Sequence, residues 1–288
     1  MYLLTKQFSV LVAPRYLFNN EALESIRASH AHRFVYEGWF EQPISKLFKF
    51  PRYFQEVVVD DVFRGLEYLE INNVPNEIQS WRKDDQLIPA AFGRFSKLYH
   101  LSITSSEFKG PVPMEIWNMP NLKVLFFGMF PLNQPLPAEI SGLKSLIALT
   151  MTDCLLYGSI PPEIGLLTSL RRLSLTDNKL TGNIPSELGN LSNLLELELC
   201  FNKLSGTIPI ALGNLNKLQV LDLQENMLTG VIPSDFGNLK ALRRLSLKSN
   251  GLFGLVPIEL ASFSLLQTCD LRQNHGLECN IKFLALRI

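Results

Sequence analysis

Histidines, cysteines and carboxylates are the residues that could carry catalysis or hold a metal ion. The four histidines are His30, His32, His100 and His275. None of them has a cysteine or a carboxylate at the spacing that metal sites use. The sequence also has no glycine-rich phosphate loop, no nucleophile elbow and no kinase signature. We therefore predict a protein that is not an enzyme and that needs neither a metal ion nor a cofactor.

The four cysteines bear on the compartment. Cys154 and Cys269 stand at buried-type positions of the repeat described below, and Cys200 stands at an outward position. The one pairing that the sequence leaves open joins Cys269 to Cys279. Free thiols suit a reducing compartment, and the segment after Met1 has no signal-peptide pattern. We expect a cytoplasmic or nuclear protein, with an extracellular or cell-surface location as the alternative.

The charge balance excludes some classes of partner. Lys and Arg number 27, and Asp and Glu also number 27, so the formal net charge is zero. A nucleic-acid-binding protein would carry a basic excess. No run of about 18 uninterrupted apolar residues, the length that a membrane helix needs, occurs in the sequence. We therefore predict neither a nucleic-acid partner nor a transmembrane segment.

A leucine pattern recurs at a constant interval along most of the chain. The pattern Leu-x-x-Leu-x-Leu begins at Leu98, Leu122, Leu146, Leu170, Leu194, Leu218, Leu242 and Leu266. An earlier copy begins at Leu66, with about eight extra residues in the stretch from Asn76 to Asp85. Leucines at the first, fourth and sixth positions predict one short strand per unit with alternate side chains inward. Such a strand cannot bury its apolar face alone, so the units must stack.

The rest of the unit is patterned too. An asparagine follows the first leucine by eight residues, at Asn178, Asn202, Asn226, Asn250 and Asn274. Its amide can satisfy backbone groups at the bend after the strand, so we predict a buried structural asparagine ladder. A glycine and a proline then complete units such as LRRLSLTDNKLTGNIPSELGNLSN.

This unit resembles the leucine-rich repeat family, of the 24-residue LxGxIP kind best known from plant receptors. The resemblance implies an α/β repeat solenoid, a horseshoe with a parallel concave sheet and an irregular or 3-10 convex side. We divide the chain into an N-terminal capping region at 1–60, about nine repeats at 61–280 and a tail at 281–288.

The outward strand positions are the candidate binding surface. The resemblance implies that a protein or peptide ligand binds on the concave face. The residues predicted to contact it are Phe126, Arg172, Glu196, Glu198, Asp222, Arg244 and Lys248. The charged members could instead form cross-strand ion pairs on a solvated sheet, each contributing little.

The third unit, counted from Leu66, departs from the pattern, because LKVLFFGMFPLNQPLP has neither the asparagine nor the glycine at their positions in the repeat. Drift near the N-terminal end is the favoured interpretation. The alternative is an aromatic binding patch of Phe126, Met129 and Phe130.

The segment 1–60 does not fit the repeat. We predict a helix from Asn20 to His30 and an edge strand from Phe54 to Val59. Residues 3–17 are similar to the last helix of an F-box, with an apolar face of Leu3, Leu4, Phe8, Leu11 and Val12. That resemblance implies a substrate receptor of a ubiquitin ligase, with the ligase adaptor as a further partner. The main functional prediction is thus an intracellular protein-recognition scaffold, with an F-box-type receptor as its more specific form. The alternative is the ectodomain of a receptor-like cell-surface protein involved in signalling.

Overall fold

A computed structural model describes residues 10–12, 33–37, 66–72, 88, 90–104 and 108–278. Its main sheet has eleven parallel strands in chain order. These are β1 (Val10–Val12), β2 (Arg33–Glu37), β3 (Tyr68–Asn72), β4 (His100–Thr104), β5 (Val124–Gly128), β6 (Ala148–Thr152), β8 (Arg172–Ser174), β10 (Glu196–Glu198), β12 (Val220–Asp222), β14 (Arg244–Ser246) and β16 (Thr268–Asp270).

The strand register follows the repeat. Leu173 of β8 pairs with Leu197 of β10, which pairs with Leu221 of β12. All three leucines are fully buried in one continuous core. The 24-residue spacing therefore places equivalent side chains side by side, and the predicted parallel solenoid is confirmed.

The main sheet extends into the segment 1–60 that lies before the repeats. β1 pairs with β2, and β2 pairs with β3, both in parallel. The F-box-type helix predicted within residues 3–17 is wrong at Val10–Val12, because these residues, two of them β-branched valines, pair with β2 as a strand. Leu11 and Val12 therefore do not belong to an F-box helix. The division of the chain at residue 60 stays a prediction.

A second parallel sheet of six strands follows the bends after the main strands. Its strands are β7 (Tyr157–Gly158), β9 (Lys179–Asn183), β11 (Lys203–Thr207), β13 (Met227–Gly230), β15 (Gly251–Leu255) and β17 (Gly276–Glu278). In β11, Gly206 has a φ of 75°, a conformation that costs glycine little. The sequence did not predict this sheet.

Short turns of helix complete each unit on the side away from the main sheet. One is α1 (Met114–Trp117), and the others are 3-10 turns at Ala90–Arg94, Ala138–Gly142, Pro162–Leu166, Ser186–Asn190, Ile210–Asn214, Ser234–Asn238 and Ile258–Ser262. They confirm the 3-10 convex side. Within the described part of the chain, no helix has the length and apolar character to cross a bilayer.

Some of the predicted features lie outside the described residues. They are the insertion within 76–85, the helix at 20–30, the strand at 54–59, the tail at 281–288 and the pairing partner Cys279.

Candidate functional site

The main sheet presents its outward side chains in straight rows, because the parallel register brings equivalent positions together. One row contains Arg172, Glu196, Val220 and Arg244 on neighbouring strands. Two positions further along each strand, a second row runs through Phe126, Thr150, Ser174, Glu198, Asp222, Ser246 and Asp270. The predicted contact residues of the strands therefore share one surface, which we call the concave face.

The C-terminal half of the concave face is a lattice of ion pairs. Arg172 Nη2 lies 2.6 Å from Glu196 Oε2. Arg244 Nη2 lies 2.9 Å from Glu198 Oε1 and 3.5 Å from Asp222 Oδ2, so it bridges two strands. Lys248, just beyond β14, lies 3.9 Å from Glu225. The charges that looked segregated in the sequence are thus largely neutralised by their neighbours.

Asp222 is the most buried carboxylate of this lattice, with 8% of its side chain exposed. Burial raises its pKa above the ordinary 3.8, against the opposing effects of the Gln224 backbone amide and Arg244. Its Oδ1 accepts that amide hydrogen bond at 3.2 Å. Loss of hydration therefore outweighs the pairing with Arg244, and a ligand cation near Asp222 would relieve this penalty.

We define the uncharged half of the concave face as the outward positions of β4, β5 and β6; the second row reaches the acidic Glu70 on β3, next to β4. The outward positions of β4, β5 and β6 have no Asp, Glu, Lys or Arg. The His100 ring stacks on the Tyr68 ring with centroids 3.9 Å apart. The Phe126 ring leans over Gly128, where an added Cβ would lie 3.3 Å from its Cε1. The sequence did not predict this neutral half, although the rows of Ala148, Thr150 and Thr152 could have indicated it.

The third unit does not form the aromatic patch that was the alternative prediction. Phe130 is buried and packs edge-on against Phe127, with ring centroids 5.7 Å apart. It occupies the asparagine position, where an apolar ring fills the core in place of the amide. Met129 is 60% exposed, and Phe126 is partly buried on the concave face. Met129 and Phe126 can therefore reach a ligand, whereas Phe130 cannot.

The asparagines hold the bends that follow the main strands. Asn202 Oδ1 accepts a hydrogen bond from Leu180 N at 3.0 Å. Its Nδ2 donates to Leu175 O at 2.9 Å and to Leu199 O at 3.1 Å. Asn178, Asn226, Asn250 and Asn274 make the same kinds of bond to their own unit and the one before. These bonds fix the spacing between units and hence between the rows.

Two cysteine thiols near the concave face are buried. Burial raises the pKa of Cys154 to about 12 and that of Cys200 to about 11. Cys200 was predicted to be outward-facing, but it is only 5% exposed and its Sγ lies 3.3 Å from Thr176 Oγ1. At neutral pH such thiols are almost wholly protonated and poor nucleophiles.

Comparisons with known proteins agree with this architecture. The family model for the leucine rich repeat matches residues 168–228 and 192–252. None of the curated proteins compared with the chain matches it. The fold and the repeats together show that this chain is a solenoid repeat protein. It belongs to the leucine-rich repeat family.

Three solved structures are among those similar to the chain. One is the plant peptide hormone receptor RGFR1 in complex with RGF2, with 31% identity and a TM-score of 0.69 over 88% of this chain and 38% of that one. Another is the ectodomain of the membrane receptor kinase GASSHO1/SCHENGEN3 from Arabidopsis thaliana in complex with CASPARIAN STRIP INTEGRITY FACTOR 2, with 27% identity and a TM-score of 0.71 over 89% of this chain and 31% of that one.

The third is the Arabidopsis receptor kinase HAESA in complex with the peptide hormone IDA and the co-receptor SERK1. It has 29% identity and a TM-score of 0.66, over 86% of this chain and 37% of that one. The chain therefore spans less than two fifths of each of these three structures. The F-box resemblance finds no support in these comparisons, and the receptor neighbours favour the extracellular alternative over a cytoplasmic or nuclear location.

Proposed function

We propose that the chain is a non-enzymatic recognition domain of a plant-type cell-surface receptor, and that its concave face binds an extended peptide. The observation that carries the proposal is the single ordered surface that the main sheet presents, together with neighbours whose structures contain peptide ligands. The ubiquitin-ligase role is not part of the proposal, because Val10–Val12 is a strand.

The two halves of the concave face suggest how such a peptide would be recognised. Phe126 and its neighbours Val124 and Ala148 offer apolar contacts in the uncharged half. In the charged half, Asp222 and Glu198 share the single Arg244 side chain. Two carboxylates against one guanidinium leave negative potential at that point, so a basic peptide residue would complement it.

An extracellular location is compatible with two features of the described surface. Asn190 begins the glycosylation sequon Asn190-Leu191-Ser192 and is exposed at the end of its 3-10 turn. This exposed position leaves the Asn190 side chain accessible to modification. The buried thiols of Cys154 and Cys200 are also protected from oxidants, whatever the compartment.

The proposal is tested by selecting peptides from a random 15-residue display library on the whole chain. Enriched peptides are then titrated against the double variant Glu198→Lys/Asp222→Lys and against Phe126→Ala, which keeps every charge. The matched control is Glu115→Lys/Glu139→Lys, which makes the same charge change on exposed glutamates of the convex turns.

We expect each concave variant to weaken peptide binding roughly tenfold, as is common for central interface residues, while the control binds like the unmodified chain. Circular dichroism identifies any variant that has lost the fold. If the double charge variant has lost it, the binding of Phe126→Ala alone tests the proposal. Peptides that bind the concave variants and the unmodified chain equally well would refute the proposal.

A further inference from the structure

Seven exposed cations lie along one edge of the solenoid. We define the basic band as the two residues before the first leucine of each unit, that leucine and the residue after it, for the units that begin at Leu98 to Leu266. Seven cations lie in these positions, and no aspartate or glutamate does. They are Lys97, Lys123, Lys144, Arg171, Lys217, Lys240 and Arg243. In the preceding unit the residue after the first leucine is the acidic Glu67, so we begin the band at the next unit.

Among the residues that the structure describes, the cations of the basic band differ from those of the concave face because no carboxylate pairs with them. All seven are exposed, and within the described residues none forms an ion pair. Lys217 Nζ donates to Asn193 Oδ1 at 2.8 Å, and Lys240 Nζ lies 5.0 Å from the centre of the Phe263 ring. The positive potential of the band is therefore open to an anionic ligand.

Backbone hydrogen bonds between neighbouring units make the basic band regular. Ile147 N donates to Lys123 O, and Arg171 N donates to Ile147 O, each at 2.7 Å. Further bonds of this kind continue to Arg243, so each unit advances the band by one strand spacing. Six steps of about 4.8 Å make it roughly 29 Å long. A ligand that uses the whole band must be an extended chain with repeated negative charges.

A depression with a volume of about 330 Å³ lies in the middle of the basic band. Its lining comes from three successive units and consists of Lys144, Ser145, Ile147, Ser169, Arg171 and Asn193. In the described part of the chain, the hydroxyls of Ser145 and Ser169 make no side-chain hydrogen bond. The depression thus combines two cations, two available hydroxyls and one apolar side chain.

We infer that the basic band binds a carboxylated oligosaccharide in an extended form, and that the depression holds one of its sugar units. Lys144 and Arg171 pair with carboxylates, as charge-assisted hydrogen bonds favour. Sugar hydroxyls are fixed to the ring beside the carboxylate, so they reach Ser145 and Ser169 within the same depression. An acidic peptide holds its carboxylates on flexible stems and has no hydroxyls beside them. This ligand and this surface are separate from the peptide site of the concave face.

The test titrates the whole chain with an oligogalacturonate of ten units and with the fully methyl-esterified form of the same oligomer. Lys144→Gln/Arg171→Gln removes the two cations of the depression. Lys179→Gln/Lys203→Gln removes two exposed lysines of the second sheet, outside the basic band, and is the matched control. A polyglutamate of the same charge is the peptide comparison.

We expect the oligogalacturonate to bind and its esterified form to bind far less. The depression variant should lose roughly five- to tenfold in affinity, since exposed charge pairs each contribute modestly, while the control should lose less than twofold. An equal loss in both variants, equally tight binding of polyglutamate, or no binding of oligogalacturonate at low salt would each overturn the inference.

Discussion

At the scale of single residues, the buried asparagine amides are the most sensitive polar groups. Asn202→Ala removes the acceptor for Leu180 N and the donor for Leu175 O and Leu199 O. Leaving such buried backbone groups unpaired costs about 1–3 kcal/mol, so we expect the free energy of unfolding to fall by about that amount in urea titrations.

The matched control is Asn214→Ala, which changes the same residue type at an exposed position between β11 and β12. It should change stability by less than about 0.5 kcal/mol, as surface substitutions usually do. Equal unfolding midpoints for Asn202→Ala and the unmodified chain would show that the Asn202 amide does not stabilise the bend.

Asp222 makes the stability depend on pH in a definite direction. Its pKa is raised above 3.8 in the folded chain, so the folded state holds the proton more tightly than the unfolded state does. This contribution to stability is fully present below pH 3.8 and is lost as the pH rises through the raised pKa. Asp222→Asn cannot titrate and keeps an acceptor for Gln224 N.

We therefore expect the unfolding free energy of Asp222→Asn, relative to the unmodified chain, to be higher at pH 7 than at pH 3.5. Urea titrations of both proteins across this range measure the difference, in which titrating groups that do not interact with Asp222 cancel. A difference that runs in the opposite direction would mean that the pairing with Arg244 dominates over desolvation.

The cysteines show a limit of sequence reasoning at this scale. Cys154 and Cys269, which stand at buried-type positions of the repeat, were taken as signs of a reducing compartment. Both are buried, and so is Cys200. Burial raises the pKa of Cys154 and Cys200, and a buried protonated thiol is protected from oxidation in any compartment. The repeat indicated buried positions for Cys154 and Cys269 but not for Cys200, and burial of a thiol does not decide between the two locations.

At the scale of elements, the leucine spacing predicted the main sheet because alternate inward leucines have no other way to be buried. The second sheet was missed for a physical reason. Strands such as β9 and β11 present Thr181 and Ser205 to solvent and have no run of alternating apolar residues. Their pairing follows from the stacking of units rather than from local sequence.

The concave face was predicted only in part, again because of interactions between elements. The rows were predictable from the repeat, but the ion pairs of Arg244 with β10 and β12 depend on side-chain directions. β1 and β2 were missed because the intervals between the first four strands are unequal and none matches the interval of the repeat. Equivalent positions on these strands are Val10, Arg33, Tyr68 and His100.

The packing of the 3-10 turns depends on glycine. A Cβ added to Gly189 would clash with Ala211 O and lie 2.7 Å from Ala211 Cβ, in the turn of the next unit. Gly189→Ala therefore forces the two turns apart, and we expect it to cost about 1–3 kcal/mol, as overpacked cores do.

Thermal unfolding measures this cost, with Asn190→Ala, at the exposed next position, as the control. Unchanged melting in both variants would mean that neighbouring turns can separate freely, in conflict with the continuous core.

At the scale of the whole molecule, zero net charge conceals a strong separation of charge. The basic band has seven cations, whereas the second residue of the convex turns is acidic in most units, at Glu115, Glu139, Glu163, Glu187, Asp235 and Glu259. The composition had argued against polyanionic partners. A net charge, however, does not show where on the surface the individual charges lie. Because equivalent positions of successive units lie side by side, a charge that recurs at one position of the unit forms a line along the solenoid.

This separation predicts the behaviour of the chain on ion exchangers. At pH 7 and low salt, a protein with zero net charge and evenly mixed surface charges would be weakly retained. A protein with one basic and one acidic edge should bind both a cation exchanger and an anion exchanger. We expect Lys144→Gln/Arg171→Gln to elute at lower salt from the cation exchanger, because these two side chains lie in the centre of the basic band. Glu115→Gln/Glu139→Gln should elute earlier from the anion exchanger instead. The contrary result is that each double variant changes its retention on both exchangers by the amount expected from its change in net charge. That result would show that the two edges do not act as separate surfaces.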